Sequence, residues 1–305
     1  METAIEANGL TKRFGKTLAV DELSFVVRPG RVTGFVGPNG AGKSTTMRLI
    51  LGLDAADGGD VLVGGRRYGT LACPLREVGA LLEASATHPG RRAKDHLRWL
   101  AASNGLPRGR VDEVLRLVGL RDVARRRTGG FSLGMSQRLG IAAALLGDPP
   151  VLILDEPING LDPEGILWIR GLLRALAGEG RALLVSSHLM SELEGTADDL
   201  IVIGRGRLIA QTSIDELIAT MSDGHVDVRS PDATTVMHAL AAAGATVTST
   251  GPDSLVVSGL DVGRIADVAA EHGLPVHGLA PRRTSLEEAF MELTRDAVEF
   301  EAEQA

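Results

Sequence analysis

The sequence is poor in cysteine, aromatics and lysine. Its one cysteine, Cys73, cannot close an intramolecular disulfide, and no Cys/His spacing offers a zinc site. A reducing, cytoplasmic setting therefore fits better than secretion. Six Phe, two Trp and one Tyr are all the aromatic side chains in 305 residues. No apolar run reaches the length of about 18 residues that a membrane-spanning helix needs. The N-terminus, METAIEANGLTKRF, lacks the charged-then-apolar layout of a signal peptide. Positive charge is outnumbered, with 32 Lys plus Arg against 39 Asp plus Glu and a net charge of −7. That balance weighs against a nucleic-acid binder, whose affinity rests on clustered Lys and Arg at phosphates. Lysine is confined to Lys12, Lys16, Lys43 and Lys94, which makes each compact ammonium informative beside so many arginines.

What the chain does have is a 44% apolar share and enough length for one large domain with an appendage, or for two domains. Val26–Val27 and Val32–Val36 are short β-branched runs punctuated by Pro29, Gly30 and Gly34. A glycine-rich loop at 37–42 follows, and then Met47, Ile50 and Leu51 recur at helical spacing. A helical stretch is predicted within about 84–147. Val151–Leu154 and Ala182–Val185 read as buried strands separated by a helix around Ile166–Leu176. This alternation predicts an α/β fold with a parallel sheet covered by helices. The composition shifts near 220, giving a first domain over 1–220 and an accessory domain over 221–305. The second reads as strand 225–229, helix 232–243, strands 245–250 and 254–258, helix 261–272, strand 275–279 and a closing helix 285–295. That order predicts a ferredoxin-like, split βαβ, α+β domain. Gly224, Gly244, Gly251, Gly259 and Gly273 fall at its turns, and the acidic tail 296–305 is expected to fray.

Gly37-Pro38-Asn39-Gly40-Ala41-Gly42-Lys43-Ser44-Thr45 satisfies the pattern G-x-x-x-x-G-K-[ST] between a predicted strand and a predicted helix. Glycines let backbone N–H groups curl around phosphates, and the helix points its positive end at them. Lys43 reaches the terminal phosphates, and Ser44 offers an oxygen to Mg²⁺. The bland alternative is a glycine-rich turn. Val151-Leu152-Ile153-Leu154-Asp155-Glu156 ends a buried strand in two carboxylates. Beside a phosphate loop, Asp155 suits the Mg²⁺ shell and Glu156 suits the polarisation of an attacking water; otherwise the two acids mark where the strand meets solvent.

Phe131-Ser132-Leu133-Gly134-Met135-Ser136-Gln137-Arg138 resembles the signature sequence of the ATP-binding cassette (ABC) ATPases. Gly160-Leu161-Asp162 resembles that family's D-loop, and Ser187-His188 its switch histidine. In this order the motifs are specific, and the resemblance extends over about 10–215. It implies a P-loop ABC ATPase with a RecA-like core sheet and a helical subdomain, ATP and Mg²⁺ as cofactors, and Lys43, Glu156 and His188 as catalytic groups. Nucleotide contacts carry over to Asn39, Gly40, Ala41, Gly42, Lys43, Ser44, Thr45, Ser132, Gly134 and Asp162, and metal contacts to Ser44 and Asp155. Glu83, in Gly79-Ala80-Leu81-Leu82-Glu83-Ala84, stands at the family's Q-loop glutamine, where it would touch nucleotide and metal. Phe14 stands where the family stacks an aromatic on adenine, with Val20 nearby, although a core role for Phe14 competes. His188 has a surface histidine as its alternative.

Leu133, Met135 and Glu83, with the closing Ser285-Leu286-Glu287-Glu288-Ala289-Phe290, resemble the bacterial bacitracin- and daunorubicin-resistance type of drug and antibiotic exporters. The resemblance implies the ATP-hydrolysing subunit of such an exporter. One copy of each motif implies a homodimer with two composite sites, docked on a separate transmembrane permease at the inner face of the membrane. No nucleic acid and no direct membrane span are expected. The alternatives are a soluble ABC ATPase acting on nucleic acid or ribosomes, and a non-catalytic nucleotide-gated regulator. For the accessory domain the expectation is dimer support or regulation.

Overall fold

The computed structural model describes residues 3–84, 86–222, 225–282 and 285–291. The chain divides into two compact units, one ending at Ile214 and one beginning at Asp215.

The first unit runs β1 (Ile5–Phe14), β2 (Thr17–Val27), β3 (Val32–Val36), α1 (Lys43–Ile50), β4 (Gly58–Val63), α2 (Pro74–Glu77), β5 (Val78–Leu81), α3 (Ala93–Ser103), α4 (Gly109–Leu117), α5 (Leu133–Ala144), β6 (Val151–Leu154), α6 (Pro163–Gly178), β7 (Ala182–Ser187), α7 (Met190–Leu193), β8 (Asp199–Gly204) and β9 (Arg207–Ser213). Helix α8 (Ile214–Ser222) follows. A six-stranded sheet has the order β5-β6-β7-β3-β8-β9, parallel except for the last pair. Strands β3, β6, β7 and β8 are buried at every residue, the burial pattern of a parallel sheet covered on both faces. A three-stranded antiparallel sheet, β2-β1-β4, shares one hydrophobic core with α1 and this larger sheet. Phe25 and Phe35 join the two sheets, with ring centroids 5.6 Å apart. Helices α3, α4 and α5 pack on one another, and α5 also packs on β5.

The strand ends decide where the chemistry sits. Parallel strands β3, β6 and β7 all point the same way, so their C-terminal ends release the phosphate loop, Asp155–Glu156 and Ser187–His188 at one rim.

The second unit contains β10 (His225–Arg229), α9 (Ala233–Ala242), β11 (Thr246–Gly251), β12 (Ser254–Ser258), α10 (Val262–Glu271) and β13 (Gly278–Pro281). All neighbours in its sheet, ordered β11-β12-β10-β13, are antiparallel. This is the split βαβ arrangement, with the fourth and first strands paired at one side. Val226, Val228, Val236, Leu240, Leu255, Val257, Ile265 and Val268 form its own core. The last strand lies later than the predicted 275–279. Pro275 has no N–H to donate, and pairing with β10 starts only where His277 N–H reaches the Arg229 carbonyl at 2.8 Å. Residues 286–291 are helical; Gly224, the rest of the predicted closing helix and the acidic tail lie outside the described residues.

Candidate active site

The rim of the parallel sheet bounds an open cleft of about 450 Å³, lined by Ala19, Asn39, Gly40, Gly42, Lys43, Ser44, Thr45, Glu156, Asn159 and His188. The phosphate loop is shaped by close backbone approach. At Gly42, φ is +101° and a Cβ would lie 2.4 Å from the Ala19 carbonyl, so no other residue fits. Lys43, 7% exposed, donates from Nζ to the carbonyls of Gly37 (2.6 Å) and Pro38 (3.2 Å). Burial pushes its ammonium below the usual lysine value, and the Glu156 and Asp155 carboxylates act in the opposite direction.

Opposite the loop, the two acids are held differently. Asp155 Oδ1 accepts from the fully buried Ser186 hydroxyl, and the Asp155 N–H donates to the Leu81 carbonyl at 2.7 Å. Glu156 sits in left-handed backbone, φ +47°. Its N–H donates to Ser186 Oγ (2.8 Å), and its carbonyl accepts from Gln137 Nε2 (2.8 Å). Its carboxylate Oε2 lies 2.8 Å from His188 Nδ1 and accepts from Asn159 Nδ2 at 3.3 Å. Ser44 and Asp155 are hard oxygen donors. Among the described residues no group of three or more His, Cys, Asp or Glu could hold a metal. A divalent cation here would draw the rest of its shell from water and nucleotide phosphates, and this donor set suits Mg²⁺.

The remaining sequence candidates lie elsewhere. Ser132 is the N-cap of α5 and accepts from the Met135 N–H at 3.2 Å. Gly134 is the second residue of α5, where a Cβ would lie 3.2 Å from the Gly160 carbonyl. Asp162 caps α6, accepting from the Gly165 N–H at 2.9 Å. None of the three lines the cleft. Glu83 is exposed, two residues beyond the end of β5 at Leu81. Phe14 is 49% exposed at the end of β1, with the Lys12 ammonium 5.3 Å from its ring centroid, so it is not a core residue. Val20 is 0% exposed and belongs to the hydrophobic core. Strand alternation turns Val20 inward and gives the cleft to Ala19 instead. Sequence reasoning assigned no role to Asn159, Ser186 or Gln137: Gln137 lies within the signature segment and the other two adjoin recognised motifs, but none matches a metal or phosphate pattern.

A protein-family model described as "ABC transporter" matches residues 20–159, and one described as a domain of unknown function matches 224–287. The chain is 36% identical over 304 residues to the Bacillus subtilis protein called uncharacterized ABC transporter ATP-binding protein YhcH, covering 98% of each chain. It is 40% identical over 220 residues to the bacitracin transport ATP-binding protein BcrA of Bacillus licheniformis, covering 71% of this chain and 72% of that one. It is 33% identical over 306 residues to the daunorubicin resistance ATP-binding protein DrrA3 of Streptomyces coeruleorubidus, covering 97% of each. Among solved structures, an ATP-binding subunit of an ABC transporter superposes with a TM-score of 0.65 at 28% identity, covering 72% of this chain and 93% of that one. With the phosphate loop and the paired acids on one rim of the sheet, these likenesses establish that the chain belongs to the ATP-binding proteins of ABC transporters.

Proposed function

We propose that this chain hydrolyses ATP as a homodimer on the inner face of the membrane, driving a separate permease that exports a drug or peptide antibiotic. The observation that carries the catalytic part is the Glu156 carboxylate, which lines the same cleft as Lys43 and is fixed by His188 at 2.8 Å. The names of the bacitracin and daunorubicin relatives support the class of cargo.

In this reading the loop N–H groups and the N-terminus of α1 bind the β- and γ-phosphates. Lys43 exchanges its loop carbonyls for phosphate oxygens. Glu156 accepts a hydrogen bond from the attacking water and polarises it, while His188 orients the carboxylate. Ser44 and Asp155 would hold Mg²⁺, which when bound neutralises charge on the phosphates. Ser132 and Gly134, at the start of α5, would serve the nucleotide of the partner protomer, and Phe14 would stack on its own adenine for roughly 1–3 kcal/mol.

Glu156→Gln is expected to retain ATP binding and lower turnover about 10²- to 10⁴-fold. A variant that hydrolyses ATP at the parental rate would remove Glu156 from this role. For the assembly, the chain should co-purify with a polytopic membrane protein from gently solubilised membranes; a fully active assembly free of membrane protein in cells would count against the exporter reading.

A further inference from the structure

We propose that Gln137 is a positioning residue for Glu156, locking the carboxylate's backbone to the helix that begins with Ser132 and Gly134. The proposal rests on the reading of Glu156 as the group that polarises water. Glu156 occupies left-handed backbone, φ +47°, a conformation that a non-glycine residue keeps only where its surroundings hold it. Its peptide is held on both sides: Ser186 Oγ receives the N–H, and Gln137 Nε2 donates to the carbonyl, each at 2.8 Å.

Gln137 is 4% exposed and lies on α5 among Leu139, Ile141 and Ala142, which are buried as well. A buried amide there is costly unless its hydrogen bond is made, so the bond to Glu156 fixes the rotamer. On α5, Gln137 is three residues from Gly134 and shares its face. That face lies against the segment following Glu156, since a Cβ on Gly134 would meet the Gly160 carbonyl at 3.2 Å. Seating of α5 is therefore transmitted to the Glu156 backbone through one amide, with no contact between Gln137 and nucleotide required. Arg138, the next residue, stacks on Trp168 of α6 at 4.2 Å and stiffens the same junction. In a composite dimer, this bond would tie the helix serving one nucleotide to the carboxylate that polarises water at the other.

The test is steady-state ATP hydrolysis by the full chain. Gln137→Met, close to isosteric but unable to donate, should lower kcat about 10- to 100-fold with the KM for ATP changed less than about threefold. On a Glu156→Gln background the same substitution should lower the residual rate no further, because the group it positions is already lost. Unchanged kcat, a raised KM with normal kcat, or an equal loss on both backgrounds would each overturn the proposal, the last marking a merely structural role. Thermal unfolding and ATP binding report whether each variant folds. If Gln137→Met does not, Gln137→Asn, one methylene too short to reach, carries the same expectation. Full turnover by Glu156→Gln alone would instead sink the underlying reading of Glu156, and the single variant shows this separately.

Discussion

Glycine 42 shows why a short pattern could be read so far from the sequence. Its φ of +101° and the Ala19 carbonyl 2.4 Å from a would-be Cβ are two independent reasons for a hydrogen at that position. Gly42→Ala is expected to destabilise the chain by at least about 1–3 kcal/mol from backbone strain alone and to abolish ATP binding. Denaturant titration with a nucleotide-binding assay checks both effects. The residues proposed to bind by such a steric or charge requirement, Gly42, Lys43 and Ser44, stand out by their spacing alone. Those that hold other residues in place do not: Ser186 and Gln137 act through partners 30 and 19 positions away in the chain, a distance no local pattern encodes.

At the scale of the element, α/β alternation and the split βαβ order were readable, whereas the antiparallel sheet of the first unit was read only in part. Strand β1 buries Ile5, Ala7 and then Leu10, because its register with β2 shifts between Ala7 and Leu10. A bulge of this kind breaks the two-residue period on which strand recognition depends. Elsewhere the local chemistry is direct. Asp261 caps α10 by accepting from the Arg264 N–H at 2.8 Å, and α10 contributes Ile265 and Val268 to the second core. Asp261→Ala should lower the stability of that unit by about 0.5–2 kcal/mol, visible as faster amide exchange confined to residues from 225 onward. Uniform loss of protection throughout the chain would contradict a local cap effect.

For the whole molecule, the accessory unit has a hydrophobic core of its own among the described residues. If it supports dimerisation, deletion of 221–305 should weaken ATP-dependent dimerisation while leaving ATP binding by the cassette intact, as sedimentation and binding measurements would show. Unaltered dimerisation and turnover would assign it another purpose. Stability of the whole chain should also depend on acidity through His96. This residue is 8% exposed, its Nδ1 has no hydrogen-bond partner among the described residues, and the Trp99 ring centroid lies 6.3 Å away. Burial, aided by Arg91, holds its imidazole below the ordinary value of 6.5. The unfolded chain therefore takes up the proton first, so this contribution is complete above about pH 6.5 and declines as the pH falls toward the folded-state value. His96→Phe should reduce the difference in Tm between about pH 7.5 and 5.5; an undiminished difference would place the acid sensitivity elsewhere.

The bonds from Lys43 to Gly37 and Pro38 bear on how fast nucleotide is captured. The loop is braced by its own cation as well as by the close backbone approach at Gly42. An arriving triphosphate exchanges one set of oxygens around Nζ for another and has little chain to order. Association should then be limited by encounter and by the release of a single ammonium, with most of the spread in affinity among loop variants appearing in the rate at which nucleotide leaves.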